Sequence, residues 1–82
     1  MITITYFGRL KDLCPSGCET LGWPGGSTED LLNQLRQRGP EWHAALQPEQ
    51  VFRIAVNHHL LNEPKQLEDG DEIAILPPVT GG

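Results

Sequence analysis

Apolar and polar residues alternate over the first seven positions: Ile2, Ile4 and Tyr6 share one face, and Thr3, Thr5 and Phe7 the other. A period of two over that length predicts a strand with Ile2, Ile4 and Tyr6 turned inward and Phe7 out of phase with them. Gly8 ends the run, Arg9–Leu13 fits a helical turn or a loop, and Cys14-Pro15-Ser16-Gly17 has turn chemistry. Glu19-Thr20-Leu21 then predicts a short return strand. After the break at Trp23-Pro24-Gly25-Gly26 the period changes. Leu31, Leu32 and Leu35 make one apolar face of a helix that Ser27 or Thr28 caps, with Ser27-x-x-Asp30 in the pattern of a capping box. Glu29 and Asp30 in the first turn and Arg36 and Arg38 in the last match the helix dipole at both ends, and Gly39-Pro40 stops the helix. Trp42, Ala45 and Leu46 predict a second, short helix that Pro48 terminates.

The remaining pattern is strand-like. Val51–Val56 has Phe52, Ile54 and Val56 in phase, Asn57-His58-His59 turns the chain into a short strand at Leu60-Leu61, and Asn62-Glu63-Pro64-Lys65 is loop. Asp69-Gly70-Asp71 is a tight turn leading to a last strand, Glu72–Leu76. A hairpin, a main helix, a short helix and further strands make an α+β domain, with the helices on one face of a mixed sheet. With the first and last strands side by side in its centre, the fold is a β-grasp. The division expected is a domain over 1–76 and an extended C-terminal tail over 77–82.

Phase also predicts a surface. If the helix covers Ile73 and Ile75, then Leu76 points away from it, as Phe7 does from the first strand, and Leu60 or Leu61 joins them. A contiguous apolar patch on so small a domain marks a protein partner.

The tail itself reads Pro77-Pro78-Val79-Thr80-Gly81-Gly82. Neither proline donates to a strand ladder, so the last strand ends near Leu76, and consecutive prolines favour an extended, stiff arm. Gly81 and Gly82 present the thinnest backbone available, able to enter a channel that a side chain would block. What such an end carries is the α-carboxylate of Gly82.

Length and charge narrow the function. A chain of 82 residues makes one domain with a modest core and no room for an enclosed active site. A net charge of −5 argues against nucleic acid and anionic membrane as partners. The start, Met1-Ile2-Thr3-Ile4-Thr5, lacks the basic and long apolar regions of a signal peptide, and no apolar run approaches membrane-spanning length, so the cytoplasm is the expected compartment. Adjacent His58 and His59 lack a third ligand at sensible spacing, and Cys14-x-x-x-Cys18 has no second pair, so no metal site is expected. The acidic run Glu68–Glu72 follows no calcium-loop pattern. No Gly-rich phosphate loop and no nucleophile, base and orienter set can be drawn, so no catalysis by this chain alone is expected.

Three stretches carry a resemblance: Ala55-Val56-Asn57, Leu67-x-Asp69-Gly70-Asp71-Glu72-Ile73-Ala74 and Pro77–Gly82. Together they resemble the small sulfur-carrier subunits of molybdopterin synthase, within the ubiquitin-like sulfur carriers, and Tyr6-Phe7 and Thr28-Glu29-x-Leu31 extend the likeness over the chain. The resemblance implies a β-grasp fold and a role in molybdenum cofactor biosynthesis. The Gly82 carboxylate would be adenylated by a ubiquitin-activating-type enzyme that uses ATP, converted to a thiocarboxylate with sulfur from a donor protein, and inserted into the large synthase subunit to build a dithiolene. It also implies a heterotetramer and, for Phe7, Leu60 and Leu76, contact with that partner; no cofactor bound to the carrier itself is implied. Ile75-Leu76 departs from the aromatic pair common there. Carriers for thiamine synthesis or tRNA thiolation share the glycine pair without the Pro-Pro-Val-Thr lead, and a protein modifier, with Gly82 joined to a lysine, is the alternative of another kind.

Overall fold

The computed structural model describes residues 1–47 and 52–76. Strand β1 (Ile2–Tyr6) pairs antiparallel with β2 (Cys18–Leu21), the two joined by a 3-10 turn at Gly8–Asp12. Helix α1 (Thr28–Arg36) and helix α2 (Pro40–Ala45) follow, then β3 (Arg53–Val56), β4 (His59–Leu60) and β5 (Glu72–Leu76). The sheet runs β2-β1-β5-β3-β4, with β5 parallel to β1 and antiparallel to β3. First and last strands are therefore central neighbours, as a β-grasp requires.

Each element forms for a local reason. In β1, Ile2, Ile4 and Tyr6 are buried, as the alternation requires. Helix α1 opens on a reciprocal capping box: the Asp30 amide donates to Ser27 Oγ at 3.3 Å and the Ser27 amide donates to Asp30 Oδ2 at 2.8 Å. Gly26 just before it has φ +130°, and a Cβ there would lie 2.9 Å from Asp30 Oδ2, so the box requires glycine at this position. Leu31, Leu32 and Leu35 face the sheet and pack with Ile2, Ile4, Tyr6, Ile73 and Ile75 in the core, which Leu46 closes from the end of α2. Burying such side chains contributes about 1.5–3 kcal/mol each.

Three boundaries differ from the pattern reading. The short strand expected at Leu60-Leu61 is β4 at His59–Leu60, because the turn takes only Asn57 and His58 and His59 already pairs with Val56. Strand β3 begins at Arg53, with Phe52 outside it and half-buried; its β5 partner for Arg53 is Leu76, the last residue of β5, so no pairing extends further back. Helix α1 ends at Arg36 with Gln37 as its C-cap, so Arg38 lies beyond the last turn and pairs with Glu19. Pro48, Val51 and the tail 77–82 lie outside the described residues.

The β3–β4 connection is a two-residue hairpin turn in which Asn57 (φ 51°) and His58 (φ 71°) both take left-handed backbone. That is what an I′ turn demands, and Asn suits its first position. The loop before β5 is bound to the start of α1: the Thr28 amide donates to Lys65 O at 2.9 Å, the Lys65 amide donates to Thr28 Oγ1 at 3.2 Å, and the Leu67 amide donates to Gly26 O at 2.8 Å. Buried Leu67 anchors that loop to the core.

Candidate functional site

The helices leave one sheet face uncovered, and strand register states who occupies it. Residues paired across neighbouring strands share a face. Ile4 pairs with Ile73 and Tyr6 with Ile75, all buried under the helices, whereas Thr5 pairs with Ala74 and Arg53 with Leu76 on the opposite side. Leu60 pairs with Ala55, which pairs with Ala74, so these also lie on the open face. Phe7 continues β1 beyond Tyr6 and donates its amide to Ile75 O at 3.2 Å, which sets it beside Leu76. Phe7 is 39% exposed and Leu60 55% exposed, while Leu76 is half-buried and outside the core cluster. The structure thus gathers Phe7, Leu60 and Leu76 on one face. Leu61, the other candidate, instead packs against the core.

The root of the tail is held at both ends of β5. At its start, Asp71 is a linchpin: its carboxylate accepts from the Glu68 amide at 2.8 Å and from Asn57 Nδ2 at 3.0 Å. Asn57 Oδ1 in turn accepts from the Glu72 amide at 3.0 Å, and the Asn57 amide donates to Glu72 O at 2.8 Å. The Glu68 amide first, and the Asn57 amide second, hold the Asp71 carboxyl below its usual range. Gly70 donates to Met1 O at 2.7 Å, and the Met1 amine pairs with Asp69. The Asn57 and Asp69-Gly70-Asp71-Glu72 motif is thereby explained as a bracket that sets where β5 starts, and so where Leu76 hands the chain to Pro77.

At the other end, Tyr6 is fully buried and donates its hydroxyl to Glu19 Oε2 at 2.6 Å. Arg38 grips the same carboxylate with two bonds of 2.7 Å and lies 4.7 Å over the Trp42 ring, which meets Tyr6 edge-on at 5.5 Å. Burial first, and the Glu19 contact second, push the Tyr6 hydroxyl up. Arg38 holds the Glu19 carboxyl down, against the burial that would raise it. With Tyr6 locked inward, its successor Phe7 is turned outward beside Leu76.

Other candidate chemistry does not converge on this face. A groove of about 340 Å³ opens on the helix side, lined by Thr28, Leu32, Phe52, Ile54, Leu61 and Pro64 among others. Glu29, Arg36, Arg53 and Glu63 are part of its lining, so it reaches β3 at Arg53, the register partner of Leu76, but no nucleophile with a base and an orienter is among them. Cys14 and Cys18 are free thiols, the first bonded weakly to Ser16 Oγ at 3.5 Å. His43 is exposed on α2 and His58 sits in the hairpin turn. Among the described residues no group of three His, Cys, Asp or Glu side chains could hold a metal ion, and no helix is long and apolar enough to cross a membrane. Ala55, Ala74 and Arg53 belong to the open face too; the period-two phase that placed Phe7 and Leu76 there applies equally to them.

Comparison with known proteins agrees with this architecture over the whole chain. The ThiS family model matches residues 4–82. The molybdopterin synthase sulfur carrier subunit of Haemophilus influenzae is 30% identical over 82 residues, with both chains covered completely. A solved protein of Pyrococcus furiosus superposes with a TM-score of 0.76 at 26% identity, covering 95% of this chain and 97% of its own. A chain in the protein–protein complex of subunits 1 and 2 of the molybdopterin-converting factor of Helicobacter pylori superposes with a TM-score of 0.67 at 28% identity, covering 99% of this chain and 97% of its own. The chain belongs to the ThiS family, and the full-length relative reported there is a molybdopterin synthase sulfur carrier subunit.

Proposed function

We propose that this chain is the sulfur-carrier subunit of a molybdopterin synthase, working in the cytoplasm, with the α-carboxylate of Gly82 as its reactive group. The observation that carries the reading is the placement of Phe7 and Leu76 side by side on the uncovered sheet face, at the end of β5 from which the Pro77-Pro78-Val79-Thr80-Gly81-Gly82 segment continues. The Helicobacter pylori relative, solved as a complex of its two subunits, supports the large subunit as the protein that docks there.

A carboxylate is a poor electrophile, so the chemistry needs activation. A ubiquitin-activating-type partner transfers AMP from ATP to the Gly82 carboxylate, releasing pyrophosphate. Sulfide released by a donor protein then adds at the carbonyl carbon, and AMP leaves as the C–S bond replaces the C–O bond to its phosphate. The resulting thiocarboxylate gives its sulfur to a pyranopterin precursor in the large subunit; two such deliveries complete a dithiolene, which suits two carriers on a large-subunit dimer. This chain binds no cofactor for these steps and supplies no acid or base. It contributes position: the open face fixes the docking pose, and six residues follow Leu76 in the sequence, a length of chain that can span at most about 20 Å.

Intact-mass measurement of the protein isolated from its own host tests the reading. Sulfur in place of one terminal oxygen is expected. Attachment to other proteins would instead identify a modifier, and an unchanged mass under sulfur-replete conditions would remove the carrier reading. Deletion of Gly82 should abolish sulfur loading while the denaturation midpoint stays unchanged. Assay with the large subunit and the pyranopterin precursor then separates this carrier from those serving thiamine synthesis or tRNA thiolation.

A further inference from the structure

We propose that Arg53 is a specificity-determining contact of the open face, pairing with a carboxylate on the large synthase subunit and orienting that subunit along β5. The inference rests on the reading that the large subunit docks on this face. It comes from charge placement. Arg53 is exposed and lies opposite Leu76 in the β3–β5 register, so it stands in the same cross-strand row as Leu76 and Phe7. The neighbouring arginines are committed elsewhere: Arg36 donates to Leu46 O at 2.6 Å and to Asn33 Oδ1 at 3.0 Å, and Arg38 is held by Glu19. Among the described residues no acid lies within ion-pair distance of Arg53.

The far end of the same face has the opposite sign. Glu72 begins β5 in the row of Thr3, about 13 Å from Leu76 by strand rise, with Asp69 and Asp71 in the turn just before it. Between the two ends lie the uncharged Thr5, Ala55 and Ala74. In a chain of net charge −5, a cation placed beside the apolar patch and the root of the tail makes the face dipolar. An apolar patch alone tolerates a partner in either direction. A dipolar face rejects the reversed pose, because the partner's acid would then meet Glu72 and Asp71, and like charges in contact are strongly disfavoured. The pose selected sets the Leu76 end of β5 against the partner's acidic margin.

The test measures affinity for the large subunit with the full chain, as a function of salt, for Arg53→Glu, Arg53→Leu and Arg53→Lys, with Leu76→Asp as the reference. Arg53→Glu is expected to weaken binding about tenfold at low salt, with the deficit shrinking as salt rises, and Arg53→Lys to keep most of the affinity. Arg53→Leu should lose the salt dependence while retaining apolar contact. Unchanged affinity and salt dependence in Arg53→Glu, alongside weakened binding in Leu76→Asp, overturns the inference and leaves the docking face standing. Unchanged binding in both variants overturns the docking face itself. Loss of binding only to the adenylating enzyme also overturns the inference, since Arg53 would then serve a different partner.

Discussion

Ile75 and Leu76 are adjacent, similar in volume and in the same strand, yet they belong to opposite faces of the sheet. Ile75 is fully buried between Tyr6, Ile54 and the helix, whereas Leu76 looks away from the core toward Phe7 and Arg53. The covered face is closed by Leu31, Leu32, Leu35 and Leu46; the open face carries Phe7, Leu60 and Leu76 with nothing of this chain over them among the described residues. The same hydrophobic chemistry therefore stabilises the fold on one side and remains available for association on the other. Apolar character alone does not separate the two roles, and strand phase does.

Substitutions that treat the two faces alike should give unlike results. Ile75→Ala should show the largest effect, a loss of about 2–5 kcal/mol in urea unfolding, because it leaves a cavity in a closed core. Leu76→Asp should lower affinity for the large subunit tenfold or more, equivalent to about 1.4 kcal/mol, while stability changes by under about 1 kcal/mol. Outright unfolding of Leu76→Asp would erase the distinction by showing Leu76 to be core.

The polar bracket around the open face sharpens the comparison through pH. Glu19 and Asp71 both have folded-state carboxyls below their ordinary range. Their contribution is fully present above the unfolded values, about 4.3 for Glu and 3.9 for Asp, and is lost as pH falls through the depressed folded values. The urea midpoint should drop on acidification below about pH 4, and Glu19→Gln should flatten part of that drop. A midpoint profile identical in wild type and Glu19→Gln would show that the Tyr6–Glu19–Arg38 link adds nothing. The smallest effect belongs to the hairpin: His58→Gly should stabilise by about 0.5 kcal/mol, since glycine takes the left-handed backbone there without steric cost. A calorimetric melting point that falls in this variant would assign His58 a contact that offsets its strain.

Much of this was legible in the chain because it depends on short-range periodicity. The alternation at Ile2, Ile4 and Tyr6, the Ser27–Asp30 capping box and the leucine face of α1 are all local patterns, and each element formed where they indicated. The phase of Phe7 and Leu76 was equally local. What pattern misjudged was where pairing or helix stops: β3 starts late because β5 offers no partner earlier, and Arg38 leaves the helix for Glu19, a residue nineteen positions away.

The sequence alone determined which residues alternate, where helix α1 begins, and that a double-proline, double-glycine segment follows the last strand. Tertiary structure alone decided that Phe7, Leu76 and Arg53 stand in one row, that Leu60 rather than Leu61 joins their face, and that Asp71 and Asn57 lock the start of β5. The reason is physical. Periodicity is a property of neighbours along the backbone, but a row across a sheet is set by inter-strand register, which depends on hydrogen bonds between residues far apart in the chain.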